Sequence, residues 1–364
     1  MKIKEITDHL EAIAPLSMQE SYDNAGLLTG SSDMEVNKAL ITLDVTEEVM
    51  DEAMKENCDM IIAHHPVIFK GLKKINGKDL VERVIIKAIK SDIAIYAIHT
   101  NLDNMMNGVN AKLGEKLGLS NLKVLKPSGA SLKKVVVFCP VDHAEKVREA
   151  MFSGGAGHIG NYDSCSYNLE GEGTFRALEG THPYVGEKGK LHFEKEVRIE
   201  TIVPSYKLSD VIGAMLAVHP YEEVAYDVYP LDNEYLLTGA GMIGELETPE
   251  EPLTYLQKVK ETLGAGVLKY NDLIEGPVKK VAFCGGSGAF LIHDAARAGA
   301  DLFITADVKY HDFFEHLGTM TVVDAGHYET EQFTKELLYE IIKEKFPTFA
   351  VQISKTDTNP VKVL

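Results

Sequence analysis

The sequence predicts an α/β protein: a two-part α/β domain formed from both chain ends, carrying an inserted ferredoxin-like α+β domain. Three observations predict it. Short apolar runs alternate with amphipathic stretches before residue 128 and again after residue 237, the pattern of parallel strands joined by helical crossovers. Between them, residues 129–236 change to the order βαββαβ, the ferredoxin-like pattern. Polar residues (Asp44, His64, His65, His99 and Asp103) fall at or just beyond strand carboxyl ends, where open α/β sheets place their ligands.

Taken in order, residues 4–15 read as a helix and SYDNAGLLTG (21–30) as a turn-rich loop. KALITLD (38–44) is a strand ending at Asp44, and TEEVMDEAMKEN (46–57) a helix opened by Thr46, with acids in its first turn facing the positive end of the dipole. DMIIAHHPVIFK (59–70) comes next. Its run Met60-Ile61-Ile62-Ala63 is a buried strand, and Pro66, which has no N–H for a ladder, ends it directly after His64 and His65. KDLVERVIIKAIKSD (78–92) is an amphipathic helix, IAIYAIHT (93–100) a strand running into NLDNMMNGVN, and VNAKLGEKLG (109–118) a helix closed by Gly118.

Within the insert, the strands are KKVVVFCP (133–140), SCSYNLEGEGTFRAL (164–178), EKEVRIETIVPS (194–205) and EVAYDVYPL (223–231). Its helices are HAEKVREAMFSGG (143–155) and KLSDVIGAMLAVHP (207–220). The glycine-rich TGAGMIGEL (238–246) reads as the return to the first domain, 1–128 with 237–364. Then come the helix 253–264, the strand and glycine turn KKVAFCGGSGAF (279–290), the helix 289–299, the strand 301–307 and a short helix 309–318. MTVVDAGHYETE (320–331) takes a strand into a turn, followed by the helix 331–346 and the strand 348–354.

Composition narrows the function classes. Lys and Arg total 37 against 55 Asp and Glu, a net charge of −18 that repels a phosphate backbone. The cluster Lys70, Lys73, Lys74 is too short to be a nucleic-acid face, although it allows a local anion site. Cys58, Cys139, Cys165 and Cys284 are scattered without a CxxC, which suggests neither a disulfide framework nor a thiolate zinc site and fits a reduced, cytoplasmic setting. No apolar run approaches the ~18 residues of a membrane span, and MKIKEITDHLEAIAP reads as a helix broken by acids, not as a signal peptide.

Neighbouring side chains on a regular strand point to opposite faces, so His64 and His65 cannot serve one ligand unless the strand ends there. In DAGHYETE, His327 and Glu331 stand four apart at a helix start, on one face of the first turn, where imidazole and carboxylate converge on an ion. With Asp103 of IHTNLD, three imidazoles and two carboxylates exceed the three protein ligands of a catalytic zinc and suit two ions. His99, four residues before Asp103, reads equally as a general base, a partner orienting a ligand or a satisfied strand-end histidine. Asp44, Asn24 and Asp23 are candidates for the mouth of the site, with a solvated or capping role the better reading of Asp23. CGGSG (284–288) lacks GxGxxG spacing and reads as a tight turn first, a phosphate cradle second. Lys309, His311 and Lys70 are weaker phosphate candidates, and His158, His182 and His219 follow no ligand spacing.

AHHPVIFKG, IHTNLD, YDNAGLL, LDVT and DAGHYETE together resemble the family known as GTP cyclohydrolase I type 2 homologues, the Nif-three-like dinuclear-metal proteins. The resemblance covers the chain outside 129–236 and implies that His64, His65, Asp103, His327 and Glu331 are the metal ligands. It further implies two metal ions per subunit and a homohexamer; imidazole and carboxylate ligands without thiolate permit divalent zinc, iron(II) or manganese, with zinc favoured. The insert is similar to the PII- and CutA-like domain of longer bacterial members. The implied activity is hydrolysis of a small nucleotide-like substrate by a metal-bridged hydroxide, GTP ring opening being the family label; for such an activity His99 is the candidate base by its position. The rival expectation is a metal-dependent scaffold or regulatory protein whose insert senses a ligand.

Overall fold

A computed structural model of the chain describes residues 1–129 and 131–364. Ala130, inside the expected insert, lies outside the described residues. The fold is mixed α/β with several sheets. It divides into two compact units, Met1–Pro127 with Leu236–Leu364, and Ser128–Tyr235.

The first unit contains two sheets. One has five strands in the spatial order Gly26–Thr29, Ala94–Ala97, Met60–Ala63, Lys38–Thr42, Ala350–Ile353, all parallel to their neighbours except Gly26–Thr29. The central strand Met60–Ala63 is buried on both faces, as a continuous apolar run requires in a parallel sheet. Met60 and Ile62 pack with Ile3, Ile6 and Leu10 of the N-terminal helix and with Leu338 and Ile342 near the C-terminus. Ile61 and Ala63 face Val49, Met50, Val84 and Ile85 on the opposite side. Thr46 and Asp79 cap the helices Glu47–Lys55 and Leu80–Lys90, each accepting from a backbone N–H three residues on.

The other sheet has six strands in the order Lys269–Tyr270, Thr321–Asp324, Leu302–Ala306, Val278–Ser287, Tyr235–Glu250, Leu119–Ser128. Its middle three are parallel, and Tyr235–Glu250 runs antiparallel to Val278–Ser287. Asp44, His64, His65, His99 and Asp103 follow three neighbouring parallel strands of the five-stranded sheet, whereas His327 and Glu331 follow Thr321–Asp324 of the six-stranded one. Two departures have local causes. Residues 21–30 are not all loop, because Gly26–Thr29 adds to the sheet edge through a pairing whose register shifts, too short and irregular to show period-2 alternation. Residues 119–128 and 235–250 are long strands that lead out to the second unit and back. Gly239 is obligatory on that return. Its φ is +151°, and a Cβ there would lie 2.1 Å from the Lys126 carbonyl oxygen.

In the second unit the strands Ser166–Arg176, Leu191–Pro204, Leu132–Pro140 and Tyr226–Leu231 form one antiparallel sheet in that order. Val135, Val137, Val197 and Ile199 on one face pack with Val147 and Met151 of the helix Ala144–Ser153 and with Val211 and Met215 of the helix Leu208–Val218. This unit has its own core. A chain in which a short Gly/Ser linker joins Pro127 to Leu236 should stay soluble and keep the metal content of the full protein. Unfolding, or loss of metal on elemental analysis, would show that the units are interdependent. Among the described residues no helix is long and apolar enough to cross a membrane.

Candidate metal centre

His64 sits one residue past its strand, its amide still paired with the Thr42 carbonyl, and its side chain is fully buried. Nδ1 is 2.8 Å from the Ile98 carbonyl oxygen. A carbonyl only accepts, so Nδ1 carries the hydrogen and the Nε2 lone pair points inward. Burial drives the imidazole pKa down to about 3, so the ring stays neutral. Its Nε2 has no hydrogen-bond partner, lying 3.6 Å from Asp103 Oδ1 and 3.9 Å from Glu331 Oε1. Asp103 Oδ1 is likewise buried without a partner, and burial and the nearby Glu331 hold that carboxyl well above the usual range.

His65 and His327 repeat the arrangement with carboxylates. His65 Nδ1 donates to Asp44 Oδ1 at 2.7 Å, and His327 Nδ1 to Asp307 Oδ2 at 2.7 Å. Their Nε2 atoms converge on Glu331 Oε2, at 2.9 Å and 3.1 Å. Burial opposes charge on both rings. The carboxylates on each side prevail and lift His65 to about 10 and His327 to about 9. Thr358 donates to Asp44 Oδ2 at 2.7 Å, which fixes the carboxylate that orients His65.

Glu331 reaches this position because the short helix His327–Glu331 begins after Gly326 and because the facing strand lacks a side chain at Gly286. A Cβ on Gly286, whose φ is +60°, would lie 2.1 Å from Glu331 Oε1. The CGGSG segment therefore makes room for a carboxylate, a role its spacing did not reveal. One donor atom each from His64, His65 and His99 lie within 4.8 Å of one another, and so do those of His65, His327 and Glu331. His65 belongs to both groups.

His99 Nδ1 is 2.8 Å from Asp23 Oδ1, and Asp23 also accepts from the Thr100 amide and hydroxyl. Burial disfavours that carboxylate, yet His99 and Thr100 hold its pKa down to about 2. The reading of Asp23 as solvated or capping is thus corrected: it is the partner of His99. Asn24 Nδ2 donates to the Ile68 carbonyl. His99, Asp103, His65, His327 and Glu331 line a cavity of about 660 Å³ whose wall also includes Tyr22, Phe69 and Phe290. Cys284 lines it too, with burial and the charges of Asp103 and Glu331 keeping its thiol protonated in the metal-free protein. Lys70, Lys309 and His311 are exposed and do not line this cavity. His158 and His182 are exposed in the other unit, where His219 Nε2 bonds the Phe138 carbonyl.

The residues present fit divalent cations. A buried neutral imidazole whose lone pair meets no donor, beside a buried unpartnered carboxylate oxygen, is an arrangement that a bound cation would satisfy. Each of His64, His65 and His327 has its other nitrogen held by a carbonyl or carboxylate, the support that metal-binding imidazoles require. Asp44, Asp307 and the Ile98 carbonyl are the supporting groups. Of these only Asp44 was named as a candidate from its place after a strand, although Asp307 also directly follows one. Asp307, at φ 55°, is a non-glycine residue in the left-handed region, which no local pattern predicts.

These charges dictate a pH dependence. In metal-free protein near pH 7.5, His65 and His327 are protonated, and both must lose a proton to ligate a cation. Titration calorimetry in buffers of different ionisation enthalpy should show release of roughly two protons or more per chain on metal uptake, with affinity falling as pH falls. Proton uptake, or none exchanged, would contradict the arrangement. Because both folded pKa values exceed the ordinary 6.5, the stabilisation these imidazoles give the metal-free fold is complete below 6.5 and fades as pH rises through about 9 to about 10.

The sequence profile of the Duf34/NIF3 (NGG1p interacting factor 3) family matches residues 1–360. A protein of Halalkalibacterium halodurans named GTP cyclohydrolase 1 type 2 homolog is 41% identical over 355 residues, 96% of this chain and 95% of that protein. The Bacillus subtilis protein of the same name is 40% identical over 367 residues, covering 99% of this chain and 98% of its own. The crystal structure of a Bacillus cereus protein related to NIF3 superposes with a TM-score of 0.86 at 41% identity, covering 100% of this chain and 99% of the other.

Proposed function

From the premise that this chain belongs to the Duf34/NIF3 family, we propose that His64, His65, Asp103, His327 and Glu331 hold two divalent cations and that the protein is a metal-dependent hydrolase of a small nucleotide-like substrate. The observation that carries this reading is the unpartnered Nε2 lone pair of His64, buried among acceptors and a second imidazole. The donor set is imidazole and carboxylate without thiolate, which admits zinc, iron(II) or manganese, and zinc is favoured.

When bound, such ions lower the pKa of a water ligand and stabilise negative charge developing on the substrate. The chain's own residues supply the rest. Asp23 fixes the His99 ring through Nδ1, leaving Nε2 for the cavity, where it accepts the proton that attack on an electrophilic carbon releases. Asp44 and Asp307 keep His65 and His327 aimed inward. Tyr22, Phe69 and Phe290 offer apolar faces to a planar heterocycle, and a cavity of about 660 Å³ is in the range of small-ligand sites. The substrate class is the one that the relatives' name points to, GTP or a similar nucleotide.

The same reading takes Ser128–Tyr235 as a ferredoxin-like domain inserted into a domain made from both chain ends, supported by its βαββαβ order and by helices on one face of its sheet. It also takes the protein as a homohexamer. Because the proposed ligands come from both sides of the insert, ions that merely tie the chain together are the competing role. Metal-loaded protein incubated with a panel of purine and pyrimidine nucleotides, with products separated by chromatography, tests the choice. Hydrolysis of a nucleotide supports the enzyme, and inactivity across the panel overturns it in favour of a metal-dependent scaffold.

A further inference from the structure

We propose that His293, Glu315 and His316 form a second, peripheral site for a zinc-like divalent cation, independent of the His64–Glu331 centre. His293 is on the helix Ile292–Arg297, whereas Glu315 and His316 follow the single turn Tyr310–Phe314. Nδ1 of His293 lies 2.9 Å from Nε2 of His316, and Nε2 of His293 lies 3.9 Å from Glu315 Oε2. One donor atom from each of the three residues falls within 4.8 Å of the others. Two imidazoles and one carboxylate are a ligand set that zinc accepts while keeping a position open to water.

The contact between the rings is chemically ambivalent. The contact places one shared proton between two ring nitrogens, and which ring carries it depends on the tautomer. A cation replaces the shared proton and uses both lone pairs. At zinc–nitrogen distances of 2.0–2.1 Å in a tetrahedral site, two nitrogens stand about 3.3 Å apart, so the rings need open by only a few tenths of an ångström. Glu315 is exposed and free to swing onto the same ion.

The backbone under these side chains is set in advance. His316 has φ 55°, in the left-handed region where a non-glycine residue is uncommon. Its carbonyl accepts from the Thr319 amide at 3.0 Å, the Thr319 hydroxyl at 2.9 Å and the Met320 amide at 3.1 Å, which locks that conformation. His293 is carried by a helix anchored through buried Ile292 and Ala295. Asp294 is taken up by Lys126 and Arg297 and does not compete for the ion.

The test uses the full chain stripped of metal, with Zn²⁺ alone as the probe, titrated against a chromophoric chelator. His293→Ala/His316→Ala should bind one zinc per chain fewer than wild type, in both the wild-type and the Glu331→Ala backgrounds. That difference is readable whatever becomes of the other centre. Glu315→Gln should weaken the same site by at least about tenfold, since disturbing even a group that supports a ligand typically costs 10–100-fold. In histidine NMR spectra, the resonances lost in the His293→Ala and His316→Ala variants should be ones that shift on zinc addition. Equal stoichiometry in the double variant, or unchanged affinity in Glu315→Gln, overturns the site. His293 and Glu315 are exposed and His316 is half-buried, and unaltered circular dichroism of each variant verifies its fold.

Discussion

In the His293→Ala/His316→Ala background, Glu331→Ala should reduce bound metal from about two ions per chain to less than one, read by elemental analysis of protein purified without chelator. No other residue is as central: Oε2 contacts the Nε2 atoms of His65 and His327, and Oε1 faces His64. Burial disfavours its charge, yet those imidazoles hold its carboxyl well below the usual carboxylate range, so its loss acts on all three rings at once. Removing one member of a buried ion pair typically costs 3–5 kcal/mol. Here the penalty should be smaller, because His65 and His327 can shed their protons once the carboxylate is gone. The variant should therefore fold, with both imidazole pKa values falling toward the ordinary range in NMR titration. Glu331→Gln is the control for shape, since it keeps the side chain that fits against Gly286. Metal content unchanged in both variants would remove Glu331 from the centre.

His99→Asn should lower turnover by ~100- to 10,000-fold while both ions remain bound, the range typical of losing a positioned proton-transfer group. Asparagine retains hydrogen-bonding capacity toward Asp23 but moves no proton near neutral pH. A scaffold offers a different outcome, in which the same substitution changes metal affinity and nothing else, because His99 then acts only as a neighbour of His64 and His65. The donor atoms of those three residues do lie within reach of a common ion, so metal content must be measured beside rate. Activity and metal lost in step would make His99 a ligand. Loss of activity alone makes it the base.

Much of this centre was legible locally. Met60-Ile61-Ile62-Ala63 followed by His64-His65-Pro66 announces a buried strand that stops where two imidazoles begin, and the four-residue spacing of His327 and Glu331 sets both on one helical face. Thr46 at the start of its helix was legible for the same reason, since a cap is written within three residues. Asp23 was not. It lies 76 residues from His99, and nothing in YDNAGLL distinguishes a carboxylate that grips an imidazole from one in solvent. Asp307 and Gly286 escaped similarly, one because its left-handed backbone has no periodic signature, the other because its value is the space it leaves for Glu331.

The sequence by itself determined the α/β class, the change of pattern between about residues 129 and 236, the family and which histidines and carboxylates stand at element ends, because each of these is encoded in runs of fewer than about 15 residues whose period and punctuation are set by backbone geometry. Only the tertiary structure decided that the carboxyl ends belong to two sheets, that Glu331 is shared by His65 and His327, and which of Asp23, Asp44 and Asp307 supports which ring. Those pairings join residues from separate strands and helices. They follow from where packed apolar faces such as Met60 and Ile62 against Ile3 and Leu338 bring the ends of the chain's elements, and side-chain burial of that kind is non-directional until the whole fold closes.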